Sequence, residues 1–241
     1  MQGCVVPRQI KGPNSPEIGV ISRNYRAKNE LRSVVIDLGI VNGASGSAYY
    51  QLGNTKIISS VRGPTNSNRA GTFSDLGQLD CEVRYAFEFE SQNHNCANPK
   101  QLSNMLTDSL SSLIRLDRYP KAVITVSVLI LESDGVDIGA IVTCGSIALA
   151  DAAVELNDLV TSCTTVMIGR EIYVDPDRVE RGQATSSLTI ATACSTGEVA
   201  LVWSTGVFEP DEFKLMMRFA LAGCTALRTH VSNFLSSRVT A

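Results

Sequence analysis

The run RLDRYPKAVITVSVLILESDGVDIGAIVTCGSIALADAAVELNDLV, Arg115 to Val160, decides the fold. Ala122–Leu131 is a β-branched, apolar stretch of strand length. Asp134-Gly135 breaks it. From Ile138 to Ala153 the chain is rich in alanine and other small residues and carries no charge before Asp151, which predicts a helix. A helix apolar on nearly every side must be buried on more than one face.

Outward from that block, the flanking sequence predicts strands over Arg32–Val41, Ser47–Leu52, Lys56–Arg62 and Leu79–Phe87, with Gly53-Asn54 as a hairpin turn. Leu102, Met105, Leu106, Leu110, Leu113 and Ile114 recur at helical spacing, so residues 100–117 should form an amphipathic helix. Later strands fall near Thr161–Met167, Glu171–Val174, Ser187–Ala193 and Val199–Ser204. A closing helix runs from about Pro210 to Ser236, burying Phe213, Met216, Met217, Ala220, Leu227, Val231, Phe234 and Leu235. Arg62 to Gly71 and Ser91 to Lys100 read as polar loops, and residues 1–21 as an extended or disordered lead. Strands paired as hairpins with helices interspersed indicate a mixed α/β (α+β) sandwich rather than alternating βαβ units. No internal repeat or linker divides residues 22–241, which read as one domain.

The 241 residues are 44% hydrophobic and 19% charged, enough for a sizeable core. A net charge of −3 excludes a molecule that binds nucleic acid with its whole surface; any RNA contact needs locally clustered cations. Seven cysteines without C-x-x-C spacing favour reduced thiols used as small core residues in an intracellular protein. No apolar run reaches the roughly 18–20 residues of a membrane span, and no signal-peptide pattern opens the chain.

The order of these elements, with the Arg-Tyr-Pro entry and the A-L-A-D-A-A exit of the central block, resembles the ribonuclease PH family. Arg26-x-x-x-Glu30-Leu31-Arg32 is similar to that family's opening, although Arg23-Asn24-Tyr25 stands where Pro-Asp-Gly is usual. Gly46-Ser47-Ala48-Tyr49, Gly53-Asn54-Thr55-Lys56 and Gly63-Pro64 match its next block. The resemblance implies a ribosomal-protein-S5-domain-2-like fold, with mixed sheets packed against helices. It also implies a place among six RNase-PH-like domains ringed around an RNA channel, as in the eukaryotic RNA exosome. The implied partners are other RNase-PH-like subunits in a hetero-hexameric ring, an S1/KH-type cap protein and single-stranded RNA, with no membrane. The implied locations are nucleus, nucleolus and cytoplasm.

Family enzymes trim RNA from its 3′ end by phosphorolysis, which requires cations to hold phosphate and an acidic residue near the reacting group. The family's phosphate-binding arginine corresponds to Ile138, with Asp137 preceding it. Aligned without gaps from Val174-Asp175, the family's two aspartates fall on Arg181 and Ser187; a small shift offers Glu180 for one of them. The arginine pair expected before the amphipathic helix is reduced to Lys100 within Asn98-Pro99-Lys100-Gln101. The expectation is a non-catalytic ring subunit. The alternatives are an active phosphorolytic 3′-to-5′ exoribonuclease using Glu180, and a free-standing RNA-binding module. Arg62, Arg69 and Arg84 are the candidate RNA contacts, since a basic channel can track phosphates without reading sequence; as ordinary surface cations they would do nothing of the kind.

Neither metal nor cofactor is expected. Asp175, Asp177 and Glu180 could hold Mg²⁺ but read more simply as a solvated Asp-Pro-Asp turn with Glu180 on its rim. Glu132, Asp134 and Asp137 look like a paired-carboxylate site but read more simply as surface loop charges, and Arg115, Asp117 and Arg118 as an interface cluster or a solvated helix end. His94 and Cys96 are too few for zinc, His94 and His230 leave little material for a Ser-His-Asp triad, and there is no GxGxxG or Walker pattern.

Overall fold

The computed structural model describes residues 23, 26–66, 76–86, 98–135 and 137–239. Five strands form the first sheet: β1 (Val34–Leu38), β2 (Gly46–Leu52), β3 (Thr55–Asn66), β4 (Gln78–Tyr85) and β5 (Ala122–Glu132), in the order β1-β2-β3-β5-β4. Four form the second: β6 (Val160–Ile168), β7 (Glu171–Val174), β8 (Ser186–Ala193) and β9 (Val199–Gly206), in the order β7-β6-β8-β9. The helices are α1 (Pro99–Ser111), α2 (Asp137–Asp151), α3 (Arg178–Gln183) and α4 (Pro210–Val239). All pairings are antiparallel except β4 with β5. That parallel pair needs a crossover, which α1 supplies. One βαβ unit therefore sits inside a fold otherwise built of hairpins, a departure from the expected pattern.

α2 is the piece that joins the sheets. Every residue from Gly139 to Leu149 is buried, and the helix packs on β2 and β3 of one sheet and on β6 and β8 of the other. Small side chains permit this: a Cβ on Gly145 would stand 3.2 Å from a methyl of Leu110 on α1. At the C-terminal end of α2, a Cβ on Gly46 would come within 2.2 Å of the Ala152 backbone nitrogen, so β2 enters against the helix only as glycine. α2 closes with Ala153 in the left-handed region (φ 53°) and Val154 N–H donating to Leu149 O at 3.2 Å, a Schellman-type end made without glycine.

α1 is shorter than its apolar spacing predicts. It starts where Asn98 caps Lys100 N–H at 3.0 Å ahead of Pro99, and ends at Ser111. Leu113 and Ile114 stay buried, but residues 155–157 take over their backbone: Arg115 N–H donates to Glu155 O and Asn157 N–H to Leu113 O. Tertiary pairing beats helical continuation there, and only a 3₁₀ turn at Leu116–Arg118 follows. β3 runs on past Arg62 to Asn66 along β5, where a loop was expected.

α4 covers the outer face of the second sheet with Met216, Ala220, Cys224 and Leu227, and reaches the main core with Val231. Its start is stapled by Phe208 against Phe213, rings edge to face at 5.5 Å. The five described cysteines are free thiols, four of them buried, and burial raises the pKa of each. No described helix is long and apolar enough to cross a membrane. The expected lead at residues 1–21, Arg69, and the pair His94 and Cys96 lie outside the described residues.

Candidate functional site

Three of the residues singled out by sequence, Asp137, Ile138 and Arg181, collect around the N-terminal end of α2. Asp137 opens the helix and is 7% exposed. Ser133 Oγ donates to its Oδ1 at 2.5 Å, and Tyr85 Oη, from β4, to its Oδ2 at 3.3 Å. Burial pushes the Asp137 carboxyl above the usual carboxylate range, against the Ser133 hydrogen bond, the nearby charge of Arg181 and the Tyr85 hydroxyl. Ile138 follows, half-buried against the main core. Arg181 approaches from α3 and donates through Nη1 to the carbonyl of Gly135. The structure thus brings Asp137, Ile138 and Arg181 together, with the one cation already committed to a carbonyl and lying near a carboxylate.

Beneath α2 lies a face of β6 and β8 carrying hydroxyls, continued at its edge by β9. Ser162 Oγ donates to Gly139 O at 2.5 Å and lies 3.0 Å from Thr143 Oγ1. Thr164 and Thr189 share a bond at 2.8 Å across β6 and β8. Ser187 meets Thr205 at 2.6 Å across β8 and β9. Ser187 and Thr189 are two residues apart on one strand and so point the same way. These groups are neutral and paired with one another; among the described residues the only buried side-chain N or O atom without a partner is Ser59 Oγ. Such a surface can position a helix, but it offers no charge to a phosphate and no carboxylate to a proton or metal.

The acids are on the other side of α3, and they are not solvated. Asp175 and Glu180 are 2% and 1% exposed, which overturns the reading of this stretch as a solvated turn. Asp177 caps α3 by accepting from Glu180 N–H at 2.8 Å, and the Glu180 side chain accepts from Asp177 N–H at 3.0 Å. Arg23 grips Glu180 with two hydrogen bonds, 2.5 and 2.8 Å, while stacking 4.9 Å over the ring of Tyr173. Arg32 grips Asp175 in the same way at 3.0 and 2.7 Å, and reaches Asp134 at 3.0 Å. Arg26 lies between, 3.4 Å from Asp175 and 3.7 Å from Glu180; burial and then Arg23 hold its pKa below the ordinary arginine value. Asp175 also accepts from Arg32 N–H at 2.8 Å.

Sequence reasoning passed over α3 and this charged cluster. Both left a signal: Asp177-x-x-Glu180 is a capping-box spacing, and Arg26-x-x-x-Glu30-Leu31-Arg32 carries two of the three arginines. Of the paired-carboxylate candidates, Asp134 and Asp137 are thus built into the structure, and only Glu132, 3.0 Å from Lys56, behaves as surface charge. Arg115 and Arg118 make loose surface pairs with Asp117 and Glu155 at 3.8 and 3.6 Å. No group of three metal-ligating side chains free to hold an ion occurs among the described residues. Arg62 and Arg84 lie elsewhere, on the outer face of the first sheet; both are exposed, and Arg84 pairs with Glu82 at 2.6 Å.

Residues 30–155 match the 3′ exoribonuclease family, domain 1, and residues 158–223 match its domain 2, so the chain belongs to this RNase PH family. Among named relatives, the human protein "Exosome complex component MTR3" is 30% identical over 247 residues, covering 91% of this chain and 90% of the relative. The Arabidopsis thaliana protein "Exosome complex component RRP41-like" is 33% identical over 202 residues, covering 84% and 79%. Solved structures share the fold: rice (Oryza sativa) Rrp46, with a TM-score of 0.79 at 19% identity over 90% of this chain and 99% of that one, and an archaeal exosome core chain, with 0.72 at 20% identity over 86% and 89%. The expected RNase PH fold of mixed sheets and helices is the one observed.

Proposed function

We propose that this chain is a non-catalytic structural subunit of an exosome core ring, supporting 3′-to-5′ RNA processing and decay without itself breaking bonds. One observation carries the non-catalytic half. Glu180, the only carboxylate that a shifted alignment offers for the family's acids, is buried and held in a two-pronged ion pair by Arg23. A carboxylate so held is a poor proton donor or metal ligand, because leaving the pair strands a buried guanidinium. The relatives named as exosome components support the ring half. Neighbours would be other RNase-PH-like subunits, with an S1/KH-type cap above and single-stranded RNA through the channel, in nucleus and cytoplasm.

Two measurements test the proposal. Native mass spectrometry of the complex recovered with this chain should give one copy beside five different RNase-PH-like chains. The folded, assembled sample should release no nucleoside diphosphate from 3′-ended RNA in the presence of inorganic phosphate. Phosphate-dependent release that disappears in Glu180→Gln would replace this reading with an active exoribonuclease.

A further inference from the structure

The sequence holds a single Asn-Gly step, Asn42-Gly43, and the fold sets it at the tip of the connection between β1 and β2. Both residues are exposed. The connection is fastened on either side of the tip. Val41 N–H donates to Ser47 Oγ at 2.9 Å, Ser45 N–H to Val61 O at 2.8 Å, and Ser45 Oγ to Gly63 O at 2.8 Å. Between these anchors a turn closes with Ala44 N–H donating to Val41 O at 3.4 Å, and Gly43 takes φ +82°, a value that favours glycine. Among the described residues, neither the Asn42 carboxamide nor the Gly43 N–H makes a hydrogen bond. A Cβ built on Gly43 would meet nothing within 4 Å, so the turn stands open to solvent.

We propose that Asn42 is a site of spontaneous deamidation, at which the chain converts its own turn to aspartate and isoaspartate. The Gly43 amide nitrogen, giving up its proton to solvent base, attacks Asn42 Cγ. The new N–Cγ bond closes an imide ring, and Nδ2 leaves as ammonia. Water then opens the ring. Breaking the bond from Gly43 N to Cγ gives aspartate; breaking the bond to the Asn42 backbone carbonyl carbon gives isoaspartate, with the chain rerouted through Cβ and Cγ. In sum, a carboxamide and water become a carboxylate and ammonium, with no oxidant and no cofactor. Glycine matters because a side chain on residue 43 would crowd the attacking nitrogen. Exposure matters because base and water both come from solvent. Asp134-Gly135 has the same small neighbour and is protected: its carboxylate is held by Arg32 at 3.0 Å and by Arg178 N–H at 3.1 Å, and its own N–H donates to Thr55 Oγ1 at 3.2 Å. Cγ of Asp134 is therefore not free to swing onto the next nitrogen. The change at Asn42 adds one carboxylate to a chain of net charge −3 and, because the carboxamide holds nothing, leaves the core as it was. It is a property of the isolated chain and does not rest on the ring reading.

Ageing the full chain for days in mildly alkaline buffer, followed by peptide mapping with mass spectrometry, tests the proposal. The peptide containing Asn42 should gain the mass of an amide-to-acid conversion and separate into aspartyl and isoaspartyl forms, while the peptide containing Asp134 stays unchanged. A synthetic peptide of residues 38–47 sets the rate without the fold. Conversion of the folded chain within a few-fold of that rate is expected; a folded chain that stays intact while the peptide converts would overturn the proposal, because the turn would then be withholding the nitrogen. Asn42→Gln, which keeps the turn and enlarges the ring, should abolish the conversion. Gly43→Ala should slow it by roughly tenfold or more, since the new methyl obstructs attack, and an undiminished rate there would reject the imide route. The aged chain should keep the urea midpoint of the fresh one; a lowered midpoint would show that Asn42 holds the turn and is not free to react as proposed.

Discussion

Two polar regions flank α3, and they are built on opposite terms. On one side Arg23, Arg26 and Arg32 meet Asp134, Asp175 and Glu180 in a largely buried cluster of ion pairs. On the other, Thr143, Ser162, Thr164, Ser187, Thr189 and Thr205 bond to one another or to the backbone without a charge among them. The charged cluster fastens Arg23 and residues 26–32 to β7 and α3, and Val174 N–H donating to Lys28 O at 2.9 Å completes the attachment. The hydroxyl face seats α2. Among the described residues, the charges of the cluster hold one another and the N-terminal segment, and the hydroxyls under the helix are neutral and paired.

The contrast can be broken most forcefully at Asp175. Asp175→Ala removes the acceptor for Arg32 Nε, Nη2 and backbone N–H at once and leaves buried guanidinium charge uncompensated. Unfolding by urea should show a loss on the order of 3–5 kcal/mol. A loss under about 1 kcal/mol, the range of solvated ion pairs, would mean the cluster is open to water and its acids are free for other work.

The hydroxyl face should be sensitive to shape before it is sensitive to chemistry. A Cβ on Gly139 would lie 2.9 Å from Ser162 Oγ, the atom that bonds the Gly139 carbonyl. Gly139→Ala should therefore cost about 1–3 kcal/mol by displacing Ser162, despite the gain in helix propensity. An unchanged or raised melting temperature would show that α2 does not sit as tightly on β6 as this spacing requires.

Next in size comes a pair of threonines. Thr189→Val strands Thr164 Oγ1 and should cost about 1–2 kcal/mol, whereas Thr164→Val with Thr189→Val removes both partners and should be nearly neutral. In the charged cluster, removing any single member should be severe. A double variant no better than the single would mean the hydroxyls serve some further group.

How much of this the sequence revealed follows the same division. The buried strand and helix around Ala122–Asp151 were legible because their composition admits no other arrangement, and β7 was found to the residue because Asp175-Pro176 stops it. α1 was overextended because Leu113 and Ile114 keep helical spacing while residues 155–157 claim their backbone, a long-range event with no local mark. At the site, the reading of Ile138, Arg181 and Ser187 as replacements of family residues rests on family resemblance alone. That Asp175 and Glu180 are buried could not be read at all: an Asp-Pro-Asp turn looks solvated until its arginines, some 150 positions earlier, are placed upon it.

The finest test lies at Asp137, where the two regions meet through Arg181. Its carboxyl is buried and its pKa raised, so ionisation is disfavoured in the folded state relative to the unfolded chain. A raised folded pKa contributes stability that is fully present below the unfolded carboxylate value and is lost as pH rises through the folded one. Asp137→Asn removes that titration while keeping an acceptor for Ser133 and a group to meet Tyr85 Oη. Its stability relative to the parent chain should therefore climb between acid and neutral pH, by an amount on the order of 1 kcal/mol or less, read from urea midpoints at pH 4 and pH 7. A difference that stays flat with pH would place the Arg181 guanidinium close enough to cancel the burial, and Asp137 would then belong with the charged cluster rather than with the neutral face it adjoins.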